Sequence, residues 1–273
     1  MAHTFRERFG GAALITGASA GIGAAFARHL AAAKMDLLLV ARRRDRLEEM
    51  SRELSAKHAI RVVPIDVDLA APGATEILAT KVEGSGLDVG LLVASAGFGT
   101  YGPFVEIDAA TEARMVDLNC RVVVEHCHAF LPPMVARGRG GVILLASTAA
   151  YQPCPYWATY GATKAFNLML GEALWAELSP KGIEVLALSP GYTRTEFQQA
   201  AHIDFGVGPE LDVDDVVRGA LSSLGKRPST IPGNVNWLMA FSSRLVPRSL
   251  AAKASAQMSH PDKLRGKARP GGE

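Results

Sequence analysis

Three residues in the middle of the chain have the types and the spacing of an acid–base site. Tyr160 and Lys164 lie four positions apart, and Ser147 precedes Tyr160 by thirteen positions. In a helix, residues four apart share a face, so the phenol and the ammonium would lie side by side. Tyrosine has a reference pKa of about 10, which the ammonium and a positively charged nicotinamide would lower. This set suits carbonyl reduction or its reverse, with the serine hydroxyl holding the substrate oxygen.

The residues around this trio predict how the chain holds it. Residues 142–146 form an apolar run, which predicts a buried parallel strand that ends just before Ser147. From Ala158 to Leu178 apolar residues recur at helical spacing, so Tyr160 and Lys164 would lie near the start of a helix. Because a Tyr-x-x-x-Lys pair also arises by chance, its significance depends on the rest of the chain.

Length and composition favour one catalytic domain. The chain has 273 residues, 48% of them apolar, which is enough for a sizeable core. We expect this domain at residues 10–235, followed by a basic and partly disordered extension at residues 236–273. From residue 244 onward there are seven Lys and Arg against two Asp and Glu.

Charge and cysteine content exclude several classes of protein. The net charge of +2 and the lack of a nucleic-acid-binding motif predict no nucleic-acid partner. No apolar run reaches the roughly 18 residues that a membrane span needs, so we expect a cytoplasmic protein. The three cysteines are too few for a disulfide framework and lack zinc-ligand spacing, so we expect no metal site.

A glycine-rich loop near the N-terminus is typical of a dinucleotide site. It lies between an apolar run at residues 12–16 and an alanine-rich helical stretch that ends near Lys34. Gly17 permits a tight turn, Gly21 lets backbone N–H groups approach a pyrophosphate, and Gly23 allows the helix to pack closely on the strand. The loop also contains two further candidate cofactor contacts, Ser19 and Ile22.

Three arginines follow the second apolar strand, which we expect within residues 36–41. The adenosine ribose lies just past this strand in such folds, where arginine suits a 2′-phosphate and an acidic residue suits a 2′-hydroxyl. Arg42, with help from Arg43 and Ser19, therefore predicts NADP(H) as the cofactor. The alternative is that the arginines are only the solvated start of a helix.

The next two predicted strands also end in candidate contacts. Residues 60–65 lead to Asp66 and Val67, where the carboxylate would contact adenine or only cap a helix. Residues 89–94 lead to Ala96 and Gly97, small residues that let the backbone approach a cofactor.

A long helix is predicted at residues 109–137, with Pro132 and Pro133 interrupting its last turns. It carries Asn119, which is either a satisfied core residue or a catalytic one. A further strand at residues 183–188 precedes Pro190 and Gly191.

Strands and helices alternate along the chain, which predicts a single-domain α/β fold. We expect a doubly wound, Rossmann-like parallel sheet with helices on both faces and ligands at its carboxyl edge. The loose segment 196–210 is a candidate substrate lid, and residues 229–231 are a candidate last strand.

Together these motifs resemble the short-chain dehydrogenase/reductase family, in its order and at its usual spacings, over residues 10–200. The residues that carry the resemblance are Thr16, Gly17, Gly21, Gly23, Asp66, Asn119, Ser147, Tyr160, Lys164, Pro190 and Gly191. The resemblance makes Tyr160 the general acid/base and Ser147 the hydroxyl that orients the carbonyl. It makes Lys164 the group that binds the nicotinamide ribose and lowers the tyrosine pKa, and Asn119 the holder of a relay water.

The resemblance extends to Thr193 and Thr195, which would contact the carboxamide and pyrophosphate region. It departs at one place, because the family's usual Asn-Asn-Ala-Gly is Ala94-Ser95-Ala96-Gly97 here. Ser95 can replace the hydrogen bonds of one asparagine, whereas Ala94 cannot replace those of the other. Segments 40–43, 96–104 and 190–197 look like the branch that contains NADP-dependent ketoacyl and hydroxysteroid reductases.

The resemblance implies an oxidoreductase that transfers a hydride between NADP(H) and a ketone, aldehyde or secondary alcohol. The alternatives are an idle dinucleotide-binding sensor and a membrane-interaction protein built on the basic tail or a helix near residues 237–250. The complete trio favours the enzyme over both.

An apolar pocket and an oligomer are also expected. A set of side chains near the trio predicts a hydrophobic, lipid-, steroid- or acyl-like substrate. They are Phe98, Tyr151, Cys154, Trp157 and Phe197. In the helices predicted at 109–137 and 158–178, Leu168, Leu170 and Trp175 exceed the needs of one core-facing stripe, which predicts a homodimer or homotetramer.

Overall fold

The computed structural model describes residues 5–201, 209–243 and 245–261. Within these ranges seven strands form one sheet. They are β1 (Ala12–Thr16), β2 (Leu37–Ala41), β3 (Val62–Asp66), β4 (Val89–Ala94), β5 (Gly140–Leu145), β6 (Ile183–Leu188) and β7 (Ser229–Thr230). Their order in the sheet is β3-β2-β1-β4-β5-β6-β7, and every pairing is parallel.

Helices connect the strands and cover the sheet. They are α1 (Phe5–Phe9), α2 (Gly21–Ala32), α3 (Arg44–His58), α4 (Ala74–Gly84), α5 (Ala109–Val116), α6 (Val122–Arg137), α7 (Ala158–Leu178), α8 (Phe197–Ala200), α9 (Val213–Ser223), α10 (Asn234–Ser242) and α11 (Arg248–Met258). A π-helical segment, Asp117–Arg121, joins α5 to α6. No helix in the described ranges is long and apolar enough to cross a membrane.

The central strands are buried on both faces because alternate residues enter two different cores. In β1, Ala13 and Ile15 pack in the core under α2, α3 and α9. Ala12 and Leu14 pack in the core on the opposite face, with residues of α4 and α6. A strand that is apolar at every position fits this environment. The predicted doubly wound parallel sheet with helices on both faces is therefore confirmed.

The sheet order places the ligand site at one position. The chain runs outward from β1 through β2 to β3, then returns to place β4 on the other side of β1. The loops after β1 and β4 therefore leave in opposite directions and open a crevice at the carboxyl edge, which is where such sheets bind ligands.

Three predictions about elements need correction. The prolines do not interrupt α6, which contains both Pro132 and Pro133 and continues to Arg137. Buried Phe130, Leu131 and Met134 anchor these turns in the core, so the helix persists despite the lost N–H donors.

The other two corrections concern boundaries. The third strand begins at Val62 and includes Asp66, rather than spanning residues 60–65. In place of one helix near residues 237–250, the chain forms α10 and α11. Residues 202–208 of the predicted lid and residues 262–273 at the end of the tail lie outside the described residues.

Candidate active site

The predicted trio meets at the carboxyl edge of the sheet. Ser147 follows β5 and caps a short 3₁₀ turn, where its Oγ accepts a hydrogen bond from the Ala149 N–H at 3.2 Å. Tyr160 and Lys164 lie in the first two turns of α7, with the lysine Nζ 5.6 Å from the centroid of the tyrosine ring. The lysine is buried and donates to the Leu145 carbonyl at 2.8 Å. Strand β5 thus positions both the serine and the lysine.

Burial, and not the lysine, dominates the acidity of the phenol. Burial raises the pKa of Tyr160 to about 12, and a hydrogen bond with Ser147 acts in the opposite direction. Burial also lowers the pKa of Lys164 to about 8. Removing water from the phenolate therefore costs more than this hydrogen bond returns. That the ammonium, together with a positively charged nicotinamide, lowers the tyrosine pKa stays a prediction.

Asn119 connects three elements at the back of the trio. It lies fully buried in the π-helical segment, a feature often found at functional sites. Its Nδ2 donates to Phe98 O at 2.9 Å and to Thr163 Oγ1 at 3.0 Å, and its Oδ1 accepts from Phe98 N at 3.2 Å. The side chain therefore fixes the loop after β4 against α7.

The glycine loop has the geometry of a dinucleotide cradle. Gly17 has φ of 68°, which favours glycine at the turn after β1. A Cβ on Gly23 would come 2.4 Å from Gly17 O, so only glycine allows α2 to begin so close to the strand. The backbone N–H groups at the start of α2 are left to meet an anion.

A cavity of about 710 Å³ extends from this loop to the trio. Its lining contains most of the predicted site residues. They are Gly17, Ser19, Gly21, Ile22, Gly23, Arg42, Arg43, Val67, Ala96, Gly97, Ser147, Tyr160, Lys164, Pro190, Gly191, Thr193 and Thr195. Its volume, glycine turn and basic end fit a dinucleotide with an additional phosphate.

Asp66 and Asn119 are predicted site residues that do not line this cavity. Lys81 donates to the Asp66 carboxylate at 3.2 Å, which holds the pKa of that carboxyl below its usual range. Asp68 and Arg114 line the cavity instead, joined by an ion pair at 2.6 Å. No sequence motif indicates this pair, because its members are 46 residues apart.

The basic end of the cavity contains a glutamate and a serine that bind Arg43. Arg43 donates to Ser19 Oγ through Nη2 at 2.9 Å and to Glu196 Oε2 through Nη1 at 2.6 Å. Arg46 pairs with the other oxygen of Glu196. Arg42 is exposed and also lines the cavity. The carboxylate of Glu196 therefore already occupies part of the predicted phosphate site.

A hydroxyl on β1 supports the loop where the sequence departs from the family pattern. Thr16 Oγ1 accepts hydrogen bonds from Ser95 N at 3.1 Å and Ala96 N at 3.0 Å. These bonds connect β1 to the loop after β4. The loop is thus held at the cofactor cradle without an asparagine at position 94.

Aromatic rings surround the phenol of Tyr160. Trp157 and Phe197 stack at 6.3 Å, and their centroids lie 5.7 Å and 5.3 Å from that of Tyr160. Phe98 and Cys154 also line the cavity, as predicted. Tyr151 does not, because it lies at a smaller pocket beside Glu172 and Trp237.

Helices α10 and α11 form a wall of the cavity that the sequence did not reveal. The wall residues are Asn236, Met239, Ala240, Ser255, Met258 and Ser259. Tyr101 Oη donates to the Ser259 carbonyl at 2.8 Å and holds the end of α11 against the loop after β4. The predicted boundary between residues 235 and 236 falls inside α10.

The predicted second apolar face of α7 needs correction. Leu168 is buried in the core, and Leu170 and Trp175 pack against the core from partly buried positions. Phe166 and Met169 are the large apolar residues that α7 exposes. Periodicity alone did not distinguish these faces, because both are apolar.

Among the described residues, the remaining titratable groups form no candidate metal site. In the described ranges, no cluster of three or more His, Cys, Asp or Glu could hold a metal ion. Burial raises the pKa of Cys154, the thiol in the cavity, to about 11, so it is not ionised at neutral pH. The phenol of Tyr160, whose pKa is raised by burial, is thus the group of this site that can donate a proton beside the dinucleotide cradle.

The comparisons with known proteins agree with this geometry. A family model described as short chain dehydrogenase matches residues 11–204. The chain is 29% identical to a 7beta-hydroxysteroid dehydrogenase of Collinsella aerofaciens, over 85% of this chain and 89% of the relative. It is 28% identical to a very-long-chain 3-oxoacyl-CoA reductase of Bos taurus, over 88% of this chain and 77% of the relative. A short-chain dehydrogenase from Sphingobium yanoikuyae, solved in complex with NADPH, shares 33% identity and a TM-score of 0.77, over 86% of this chain and 93% of that one.

Proposed function

The chain belongs to the short-chain dehydrogenase family, and we propose that it is an oxidoreductase that transfers a hydride between NADP(H) and a ketone, aldehyde or secondary alcohol. The observation that carries this function is the convergence of Ser147, Tyr160 and Lys164 on the cavity that also contains the glycine loop. An idle sensor would not require the trio to share that cavity.

Each member of the trio has a distinct task. NADPH supplies the hydride when it is bound. As the carbonyl oxygen of the substrate gains negative charge, Tyr160 Oη donates its proton to it, and the hydroxyl of Ser147 holds the same oxygen. An ammonium carries three N–H donors, so Lys164 can hold both Leu145 O and the ribose hydroxyls of the cofactor. In the reverse direction the phenolate accepts the proton.

The lysine also favours the reaction electrostatically. A positive charge 5.6 Å from the tyrosine ring stabilises the phenolate that forms when the proton leaves. Since burial keeps the phenol protonated before reaction, the resting state suits carbonyl reduction.

We assign NADP(H) rather than NAD(H) because of the basic end of the cavity. Arg42, Arg43 and Ser19 can contact a 2′-phosphate through charge-assisted hydrogen bonds. The NADPH complex of the Sphingobium yanoikuyae relative supports this assignment.

The substrate class that fits best is a bulky apolar carbonyl compound or alcohol. Trp157 and Phe197 offer rings near the phenol. Phe98, Met239 and Met258 add apolar surface to the lining of the cavity. The names of the steroid and acyl-CoA relatives support this class.

Replacing Tyr160 by Phe tests the function. We expect turnover to fall by at least about 10²-fold, because the proton donor is lost, while affinity for NADPH stays near that of the wild type. NADPH oxidation would be followed with a panel of steroid, acyl, aryl and sugar carbonyls. Tyr156→Phe is the matched control, because Tyr156 does not line the cavity.

Retention of more than half the activity by Tyr160→Phe on any accepted substrate would contradict the mechanism. Failure of the wild-type protein to bind NADPH would contradict the function itself.

We also propose that the protein is cytoplasmic and forms a homodimer or homotetramer through α5, α6 and α7. Exposed Val116, Phe166 and Met169 give these helices an apolar surface. Light scattering at micromolar concentration should give a multiple of the 28.9 kDa chain mass, and a monomer mass would exclude this assembly.

A further inference from the structure

Helices α10 and α11, with residues 245–247 before α11, expose several large apolar side chains. The residues that form this C-terminal apolar face are Val235, Trp237, Leu238, Phe241, Leu245, Val246 and Leu250. The exposed fraction reaches 52% for Trp237, 59% for Leu238 and 73% for Leu245. The rings of Trp237 and Phe241 stack at 5.3 Å with an angle of 7° between their planes. These seven exposed large apolar residues within residues 235–250 indicate a site of interaction.

The chain around this face carries an excess of positive charge. Residues 219–261 contain five Lys and Arg but no Asp or Glu, whereas Arg218 just before them pairs with Asp215. Arg248 and Lys253 are exposed on α11, and Arg227 lines the small pocket that also contains Trp237 and Phe241. The acid at this pocket is Glu172 of α7, which accepts a hydrogen bond from Ser229 Oγ at 2.7 Å. The face therefore presents apolar rings and leucines within a basic surround.

This charge pattern discriminates between two occupants. A second copy would meet the face through a two-fold axis, which places the same surface on both sides and brings bases against bases. An anionic lipid bilayer instead offers phosphates to the bases and hydrocarbon to the apolar side chains. Tryptophan is also enriched where proteins meet the membrane–water interface.

The same two helices connect the face to the cavity. Met239 on α10 and Met258 on α11 line the cavity and are themselves partly exposed. An apolar surface therefore continues from the outside of α10 to the inner wall of the site. A bulky apolar substrate of the proposed class would concentrate in a bilayer, so this arrangement would place the cavity next to its source.

We propose that the C-terminal apolar face binds the surface of an anionic lipid bilayer. Helix α10 lies in the plane of the interface, with Trp237, Leu238 and Phe241 among the lipids and Arg248 and Lys253 against the headgroups. The link to substrate entry rests on the proposed function, whereas the binding itself does not.

Vesicle co-sedimentation of the full-length protein tests the proposal without cofactor or substrate. Vesicles of phosphatidylcholine containing phosphatidylglycerol would be compared with vesicles of phosphatidylcholine alone. We expect the anionic vesicles to bind the protein at least about tenfold more strongly at low salt, and the difference to shrink at high salt.

Variants connect the binding to the face. Trp237→Gln combined with Leu238→Gln should lower the partition coefficient on anionic vesicles by about tenfold or more. Both side chains are more than half exposed, so the fold should be retained, and the thermal unfolding midpoint checks this. Val105→Gln is the matched control, because Val105 is 91% exposed elsewhere on the surface and should bind as the wild type does.

Equal binding of the two kinds of vesicle, or equal binding of wild type and double variant, would overturn the proposal. A double variant that changes the mass seen by light scattering, with no vesicle binding by the wild type, would identify a second copy as the occupant. Loss of vesicle binding leaves NADPH-dependent turnover in solution unaffected, so this result and a failure of the proposed enzymatic function are distinguishable.

Discussion

Glu196 should oppose the binding of NADP(H), because it holds the guanidinium that a 2′-phosphate needs. Arg43 Nη1 lies 2.6 Å from Glu196 Oε2, while Arg43 Nη2 lies 2.9 Å from Ser19 Oγ. Arg43 and Arg46 hold the pKa of the Glu196 carboxyl below its usual range, so it is ionised at neutral pH. A phosphate at this site must displace the carboxylate or accept its repulsion.

The expected magnitude follows from exposure. The side chains of Arg43 and Glu196 are 44% and 43% exposed, so solvent screens their interaction. An exposed ion pair is typically worth about 0.2 to 1 kcal/mol. Glu196→Gln keeps the size of the side chain and removes this competitor, so NADPH should bind roughly 1.4- to 5-fold more tightly. NADH has no 2′-phosphate, and its affinity should stay the same.

Isothermal titration of both cofactors at low and high salt measures this effect, which should weaken as salt screens the charges. Glu48→Gln is the matched control, because it removes a nearby negative charge that pairs with Arg44 instead of Arg43. Weaker or unchanged NADPH binding by Glu196→Gln would refute the competition. An equal gain in Glu48→Gln would attribute the effect to net charge and not to this pair.

Three further predictions concern the cofactor, the buried ammonium and the glycine loop. Arg42→Asp should reverse the cofactor preference to NAD(H), because the new carboxylate repels the 2′-phosphate and accepts a hydrogen bond from a ribose hydroxyl. Titration with both cofactors checks this, and an unchanged ratio of the two affinities would mean that Arg42 is only a solvated residue. Because burial lowers the pKa of Lys164 from 10.5 to about 8, wild-type stability should rise between pH 8 and 10.5, where the unfolded chain binds the extra proton. At pH 7 the free energy of unfolding of Lys164→Met should therefore exceed that of the wild type by about 2 kcal/mol, once the lost hydrogen bond is subtracted. Urea titrations at several pH values should show this difference vanish near pH 10.5. Gly23→Ala should lower both the thermal midpoint and NADPH affinity, because its Cβ would meet Gly17 O at 2.4 Å, whereas Gly84→Ala, with no atom within 4 Å, should leave both intact.

Local patterns in the sequence determined the fold class and most of the site. Apolar runs of five or six residues mark the strands, because a strand buried on both faces needs an apolar residue at every position. The glycine loop and the Tyr160–Lys164 pair are also local, since a turn or a helix fixes their geometry over a few residues. Their meeting at one cavity follows from the parallel sheet, whose strands all end at the same edge.

Contacts between residues distant in the sequence were decided only by the tertiary structure. Asp66 at the end of β3 pairs with Lys81 because α4 packs back beside the strand, and Arg43 pairs with Glu196 because the segments after β2 and β6 meet at one edge of the sheet. No short motif encodes such pairs. The wall formed by α10 and α11 likewise depends on how the end of the chain folds back onto the edge of the sheet. The pKa of Tyr160 belongs to the same class, because it is set by how much water the surrounding rings exclude. The sequence shows which charged residues are neighbours along the chain. Only the packing of the folded chain determines which of them are buried away from water.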